Sequence, residues 1–240
     1  MKNLHKRQLR LSRRGFWLGC ALLVCLRLAL TSFQQAYTWV GGAPLDDELM
    51  FRAAQNITAG EWLGAYDYLT LSKAMFFPVW MALLHALHLP YLISGAALWC
   101  GAALLAAFAF STLWRKKDTA QGRVLTLGLF AALAFLPSSW AAYTLRVYRD
   151  NIFPALCLYF FAGMAGMALC AVFTPKKPLW PWLAAAGAGL ACGYLDREDA
   201  GLFLLPFAAA ATVIVAVVLA GRRRWKALAA QVIPYVMLGV

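Results

Sequence analysis

Long apolar runs separated by short clusters of basic residues constrain this chain more than any other feature. Of its 240 residues, 63% are hydrophobic and 13% charged. A soluble domain carries about 25% charged residues, so a water-soluble enzyme is excluded. A disordered chain is excluded too, because disorder needs low hydrophobicity. The net charge of +12 would suggest nucleic acid in a soluble protein. Here the basic residues punctuate apolar stretches, as in the loops that orient membrane proteins, so no nucleic-acid partner is expected. The reading is an all-α, polytopic transmembrane helix bundle with outer juxtamembrane amphipathic helices, forming a single membrane domain over 1–240.

A spanning helix needs about 20 apolar residues. The runs 16–36, 92–113, 124–142, 154–173, 179–195 and 201–220 meet that need. The run 227–240 is short for a seventh, so about six to seven transmembrane helices are expected. The segment 71–89 is ambiguous, because it holds Lys73, His85 and His88 and precedes Pro90. Charge parity decides. If 71–89 lies in the membrane plane, sixteen of the 22 Lys and Arg fall on the N-terminal side, and nine of the ten acids on the other. If it crosses, ten basic residues move outside, against the positive-inside rule. The expected topology has a cytoplasmic basic tail at 1–14 and an outer loop with in-plane helices at 37–90. The expected host is a bacterial cytoplasmic (inner) membrane.

The six cysteines all lie in apolar runs without a CxxC pair. They read as small packing residues, not as a disulfide framework or a zinc site. No metal motif is readable, and a divalent-cation requirement stays open. Arg27, inside the first run, reads as structural, reaching outward or pairing within the bundle.

Three charged stretches converge on the outer face in this topology. The first is Asp46-Asp47-Glu48. Asp46 reads as a helix N-cap, with Leu45 and Met50 as a hydrophobic staple. Three successive acids exceed what capping needs. The second is Arg146-Val147-Tyr148-Arg149-Asp150, whose arginines run against the topological trend and ask for partners. The third is Asp196-Arg197-Glu198-Asp199, expensive beside hydrocarbon unless paired or wet. Lys73 adds an outer cation. Carboxylates can take a proton from an acceptor hydroxyl. Arginine and lysine can hold a phosphate leaving group. One base with several cations is therefore a sufficient kit for glycosyl transfer from a lipid phosphate.

In order and topology the chain resembles the GT-C superfamily of membrane glycosyltransferases, in the branch of protein O-mannosyltransferases and lipid A aminoarabinose transferases. Asp47-Glu48-Leu49-Met50-Phe51 is similar to that family's D-E-x-x-Y motif, with Phe51 in place of tyrosine. Gly60-Glu61-Trp62 resembles its G-D-W turn. Lys73-Ala74-Met75 keeps the lysine of its K-P-P opening and loses both prolines. Asp150 matches a later outer-loop aspartate, and Arg197, ahead of Leu205-Pro206, an outer basic residue. An arginine that the family often carries early in the next span is missing from 91–98. Family members also run longer, so the resemblance implies a truncated form.

The resemblance implies an inverting glycosyltransferase that uses a polyprenyl-phosphate sugar on the outer face. The acceptor would be a lipid, glycan or protein. Asp47 would be the base, with Glu48 and Asp46 next and Asp150 supporting the site. Lys73, Arg146, Arg149 and Arg197, with Glu198, would bind substrate. The alternatives are a transporter or flippase for an anionic lipid or solute, and a non-catalytic truncated membrane subunit. Against transport, the spans hold almost no ionisable residue besides Arg27.

Overall fold

The computed structural model starts two helices on side-chain caps, at Ser12 and Thr119, and others on apolar runs without one. It describes residues 11–38, 44–62, 64–70, 72–114, 119–174 and 177–221. The expected basic residues at 2–10, 115–117, 176 and 222–226, Asp118 and the run 227–240 lie outside these. Among the described residues the chain is helical, with one isolated β-bridge and no named strand.

Helix α1 (Arg13–Thr31) opens on Ser12, whose Oγ accepts the Gly15 N–H at 2.9 Å. At its far end Thr31 Oγ1 and Ser32 Oγ bond the carbonyls of Arg27 and Ala29, closing the last turn from within. Helix α2 (Pro44–Ala59) starts earlier than the sequence suggests. Pro44 takes the first helical position, which suits its fixed φ and missing N–H. Asp46 therefore sits in the first turn rather than at the cap, beside Asp47. The Leu45 side chain of the expected staple lies outside the described set. Helix α3 (Phe76–Ala86) has eleven residues, about 16 Å at 1.5 Å per residue, too little for a bilayer core of about 30 Å. Lys73 stands just before it.

The remaining helices are α4 (Tyr91–Ser111), α5 (Ala120–Ala134), the single turn α6 (Ala142–Leu145), α7 (Phe153–Phe173), α8 (Trp180–Asp196) and α9 (Ala200–Gly221). Among the described residues four helices are long and apolar enough to cross a membrane: α1, α4, α7 and the 204–221 part of α9. With their lipid-facing surfaces they make the chain an integral membrane protein. The run 124–142 is shorter as a helix than as a sequence. Pro137 bars α conformation at Leu136, which is extended, and a 3₁₀ turn follows over 137–140. Helix α8, at 17 residues, is also slightly short of the usual span.

The long helices alternate in direction. Helices α1, α5 and α8 run toward one end of the bundle, and α4, α7 and α9 run away from it. Helices α7 and α8 approach most closely, because two glycines remove the obstacle. A Cβ on Gly163 would lie 2.5 Å from the Ala186 nitrogen, and one on Gly189 would lie 2.5 Å from the Phe160 nitrogen. Small residues at such crossings are the usual basis of helix association in lipid. Inward faces are built from Phe130, Phe160, Met167 and a row of alanines on α4. Leu18, Leu22, Leu202 and Val217 are exposed, as expected for helices solvated by acyl chains.

The two ends differ in charge. Arg13, Arg123 and Lys177 line a cavity of about 720 Å3 at the end where α1 begins. Nine of the ten acids are described, and none of these lines that cavity. The opposite end gathers α2, α3, the 137–151 segment and the α8–α9 turn.

Candidate functional site

The 145–151 segment is the hub of the acidic end. It is held from two sides. Tyr37 forms a parallel bridge with Arg146: the Tyr37 N–H donates to the Leu145 carbonyl at 3.1 Å and the Val147 N–H to the Tyr37 carbonyl at 2.8 Å. The Tyr91 hydroxyl, at the first turn of α4, lies 3.0 Å from the Arg146 carbonyl and 3.1 Å from that of Tyr148. This fixes where Arg146 and Arg149 point.

Arg146 reaches back to α2. Its guanidinium takes both oxygens of Asp47, with Nε to Oδ2 at 3.2 Å and Nη2 to Oδ1 completing the fork. Asp47 is 4% exposed, so a nearly dry carboxylate meets a part-buried guanidinium in a bidentate pair, the strongest geometry open to arginine and carboxylate. The Asp47 carboxylate holds the Arg146 guanidinium above its ordinary range. Neighbouring Asp46 is more open, with about a third of its side chain exposed. Its Oδ2 meets Lys73 Nζ at 3.0 Å and accepts the Tyr148 hydroxyl at 3.3 Å. The Tyr148 ring lies under Arg146, with 4.3 Å from guanidinium carbon to ring centre.

Arg149 turns the other way, toward the α8–α9 turn. It is buried, and its Nη1 donates to Glu198 Oε2 at 2.9 Å and to the Asp196 carbonyl at 3.3 Å. Arg197 reciprocates across the gap. Its Nη1 binds Asp150 Oδ1 at 3.0 Å, while Nε and Nη2 clasp both oxygens of Asp199. Glu198 also accepts the Ala74 N–H at 2.6 Å, tying the turn to the segment that carries Lys73. Partial burial pushes the Glu198 carboxyl up. The N–H groups of Glu198 and Ala74 and the Arg149 guanidinium outweigh it and hold the carboxyl below its ordinary range. Asp199 is likewise held low, first by Arg197.

Eight of the nine expected site residues thus meet at one mouth: Asp46, Asp47, Lys73, Arg146, Arg149, Asp150, Arg197 and Glu198. Glu48 does not join them. It is exposed and pairs with Arg52 one turn along α2 at 2.7 Å. Successive helical residues are about 100° apart, so Glu48 turns outward where Asp47 turns in. Two residues were missed. Tyr148 links both arginines to Asp46, and its place between two arginines was the available signal. Asp196 is 0% exposed, and neither carboxylate oxygen has a hydrogen-bond partner. In the sequence it looks like any member of a charged turn.

Lys73 also lines a cavity of about 290 Å3 beside α2, whose polar wall includes Asn56, Asp67 and Thr70. Among the described residues no group of three or more His, Cys, Asp or Glu could hold a metal ion. Compared with protein families, with curated proteins and with solved structures, the chain gives no match.

Proposed function

We propose that this protein is a GT-C-type glycosyltransferase, moving a sugar from a polyprenyl-phosphate donor to a lipid, glycan or protein acceptor. One observation carries the reading: carboxylates and cations from four distant stretches, 46–47, 73, 146–150 and 196–199, meet at a single mouth of an apolar bundle. A lipid-borne substrate needs such a place, where its tail stays in hydrocarbon and its phosphate and sugar sit among charges.

In the proposed step the acceptor hydroxyl oxygen attacks the anomeric carbon. The bond from that carbon to the phosphate oxygen breaks, and the phosphate leaves with the electron pair. The hydroxyl proton passes to a carboxylate, Asp47 by family resemblance, with Asp46 beside it. No general acid is required, because a lipid phosphate leaves as an anion stabilised by cations. Lys73, part-exposed at the rim of the 290 Å3 cavity that Arg52 also lines, is the cation of the cluster placed to meet an entering phosphate. Arg146, Arg149 and Arg197 stand behind it, each already oriented by a carboxylate. Such orientation lowers the entropy lost when the donor is bound.

The proposed setting is a bacterial cytoplasmic membrane, with the N-terminus inside and the acidic mouth outside. The cations Arg13, Arg123 and Lys177 at the opposite end support that orientation through the positive-inside rule. Incubating the purified protein in lipid with polyprenyl-phosphate sugars tests the reading. Sugar-dependent release of lipid phosphate supports it. Failure to release lipid phosphate with any donor and acceptor tried would sink it.

A further inference from the structure

Arg27 lies inside a membrane-spanning helix and is buried there without an ion pair to any described carboxylate. Arg27 on α1 is 3% exposed. Its guanidinium stacks on Trp140 at 3.4 Å, and Nη2 donates to the Ser139 carbonyl at 2.8 Å. Nε and Nη1 are buried and have no hydrogen-bond partner. A buried charge without a counter-charge is among the costliest arrangements a protein can hold. Of the ten acids only Asp118 lies outside the described residues, and the nine described ones make no ion pair with Arg27.

Arg27 lines a cavity of about 40 Å3 between α1, α4 and the 138–151 segment. The Asn151 side chain lines it too. Its amide nitrogen is committed to the Thr144 carbonyl at 2.7 Å, while its Oδ1 is buried without a donor. Gly95 makes room for that oxygen, since a Cβ there would lie 2.1 Å from it. The cavity therefore presents two unused cationic donors and one unused acceptor. A space of this size holds roughly three oxygen-sized atoms.

We infer that this cavity is a binding site for a phosphomonoester headgroup carried by a lipid. A phosphomonoester supplies three terminal oxygens, a negative charge for Arg27 and, when singly protonated, one hydroxyl for Asn151 Oδ1. The lipid source follows from the surroundings. Arg27 sits one turn inside α1, and the same helix exposes Leu26 and Leu30, an apolar flank for an attached chain. The site is separate from the ion-pair mouth and shares with it only the 144–151 segment. Binding here needs no turnover, so it does not rest on sugar transfer.

The test is thermal unfolding of the full chain in nanodiscs with farnesyl phosphate, farnesol or inorganic phosphate, backed by quenching of tryptophan fluorescence. Farnesyl phosphate should raise the melting temperature of the natural protein, and farnesol should not. Arg27→Met should abolish the shift, and Arg27→Lys, which keeps the charge and loses the fork, should weaken binding roughly tenfold. If inorganic phosphate alone gives an Arg27-dependent shift of equal size, the oxyanion site stands and its lipid source does not. A shift that survives in Arg27→Met overturns the site, as does no shift with either phosphate. Should Arg27→Met fail to fold, the Arg27→Lys titration decides alone, and unchanged affinity there also overturns it. Arg27-dependent binding without sugar transfer would separate this inference from the proposed reaction.

Discussion

Two kinds of arginine stand within one bundle. At the acidic mouth, Arg146, Arg149 and Arg197 each meet a carboxylate, in a surround open enough for water to reach Asp46 and Lys73. Below it Arg27 is as dry as Asp47 and has an indole face and one carbonyl for company. Pairing at the mouth makes a pre-arranged framework whose charges largely cancel. Isolation below leaves a charge that no described carboxylate neutralises. Charge that is already balanced positions, and charge that is unbalanced recruits.

The sharpest way to break this contrast is Asp47→Asn, which keeps the shape and removes the negative charge. On the proposed mechanism lipid-phosphate release should fall by about 10²–10⁴, the usual contribution of a general base, with membrane insertion unchanged by protease protection. Normal turnover in that variant removes Asp47 from the chemistry. Next in size is stability. Arg146→Met takes the bidentate guanidinium away from a nearly buried carboxylate, and breaking a buried pair costs up to about 3–5 kcal/mol. Arg27→Met removes a buried charge that has no described counter-charge, so without added phosphate it should be neutral or stabilising. Parallel denaturation of the two variants in one detergent measures the difference. Equal losses would erase the distinction.

A smaller effect is expected at Glu198. Its carboxyl is held low in the folded state, so its contribution is fully present above the ordinary glutamate range and is lost as pH falls through the lowered value. Acid melting curves of the natural protein and Glu198→Gln should therefore diverge above about pH 4.5 and converge below it. Smallest is Glu48→Gln. Its pair with Arg52 is solvated at both ends, and such i,i+4 pairs contribute about 0.3–0.5 kcal/mol. A large loss of activity in Glu48→Gln would place it in the site after all.

Much of this was legible in the sequence. Apolar length alone locates the long helices, because a backbone in lipid must satisfy its own hydrogen bonds. Charge parity brings 46–48, 146–150 and 196–199 to one side before any coordinate is known. The pairing itself was not legible. Nothing in the order Asp46, Asp47, Glu48 tells which acid faces Arg146, since that depends on where α2 begins, and Pro44 starts it before the expected cap. The break at Leu136 was missed because the apolar run continues through Pro137. That break also creates the turn that places Ser139 and Trp140 against Arg27. Arg27 was therefore readable as a charge in a span, but its isolation was not.

The hydroxyl of Tyr91 has a consequence beyond local order. It lies within hydrogen-bond reach of the carbonyls of Arg146 and Tyr148 from the first turn of α4, so the tilt of that spanning helix bears on the height of a segment that Tyr37 holds from the other side. Helices retilt when the surrounding hydrocarbon is thinner or thicker than their apolar length. The arginines then ride with α4, and acyl-chain length becomes a mechanical input to the mouth of the bundle.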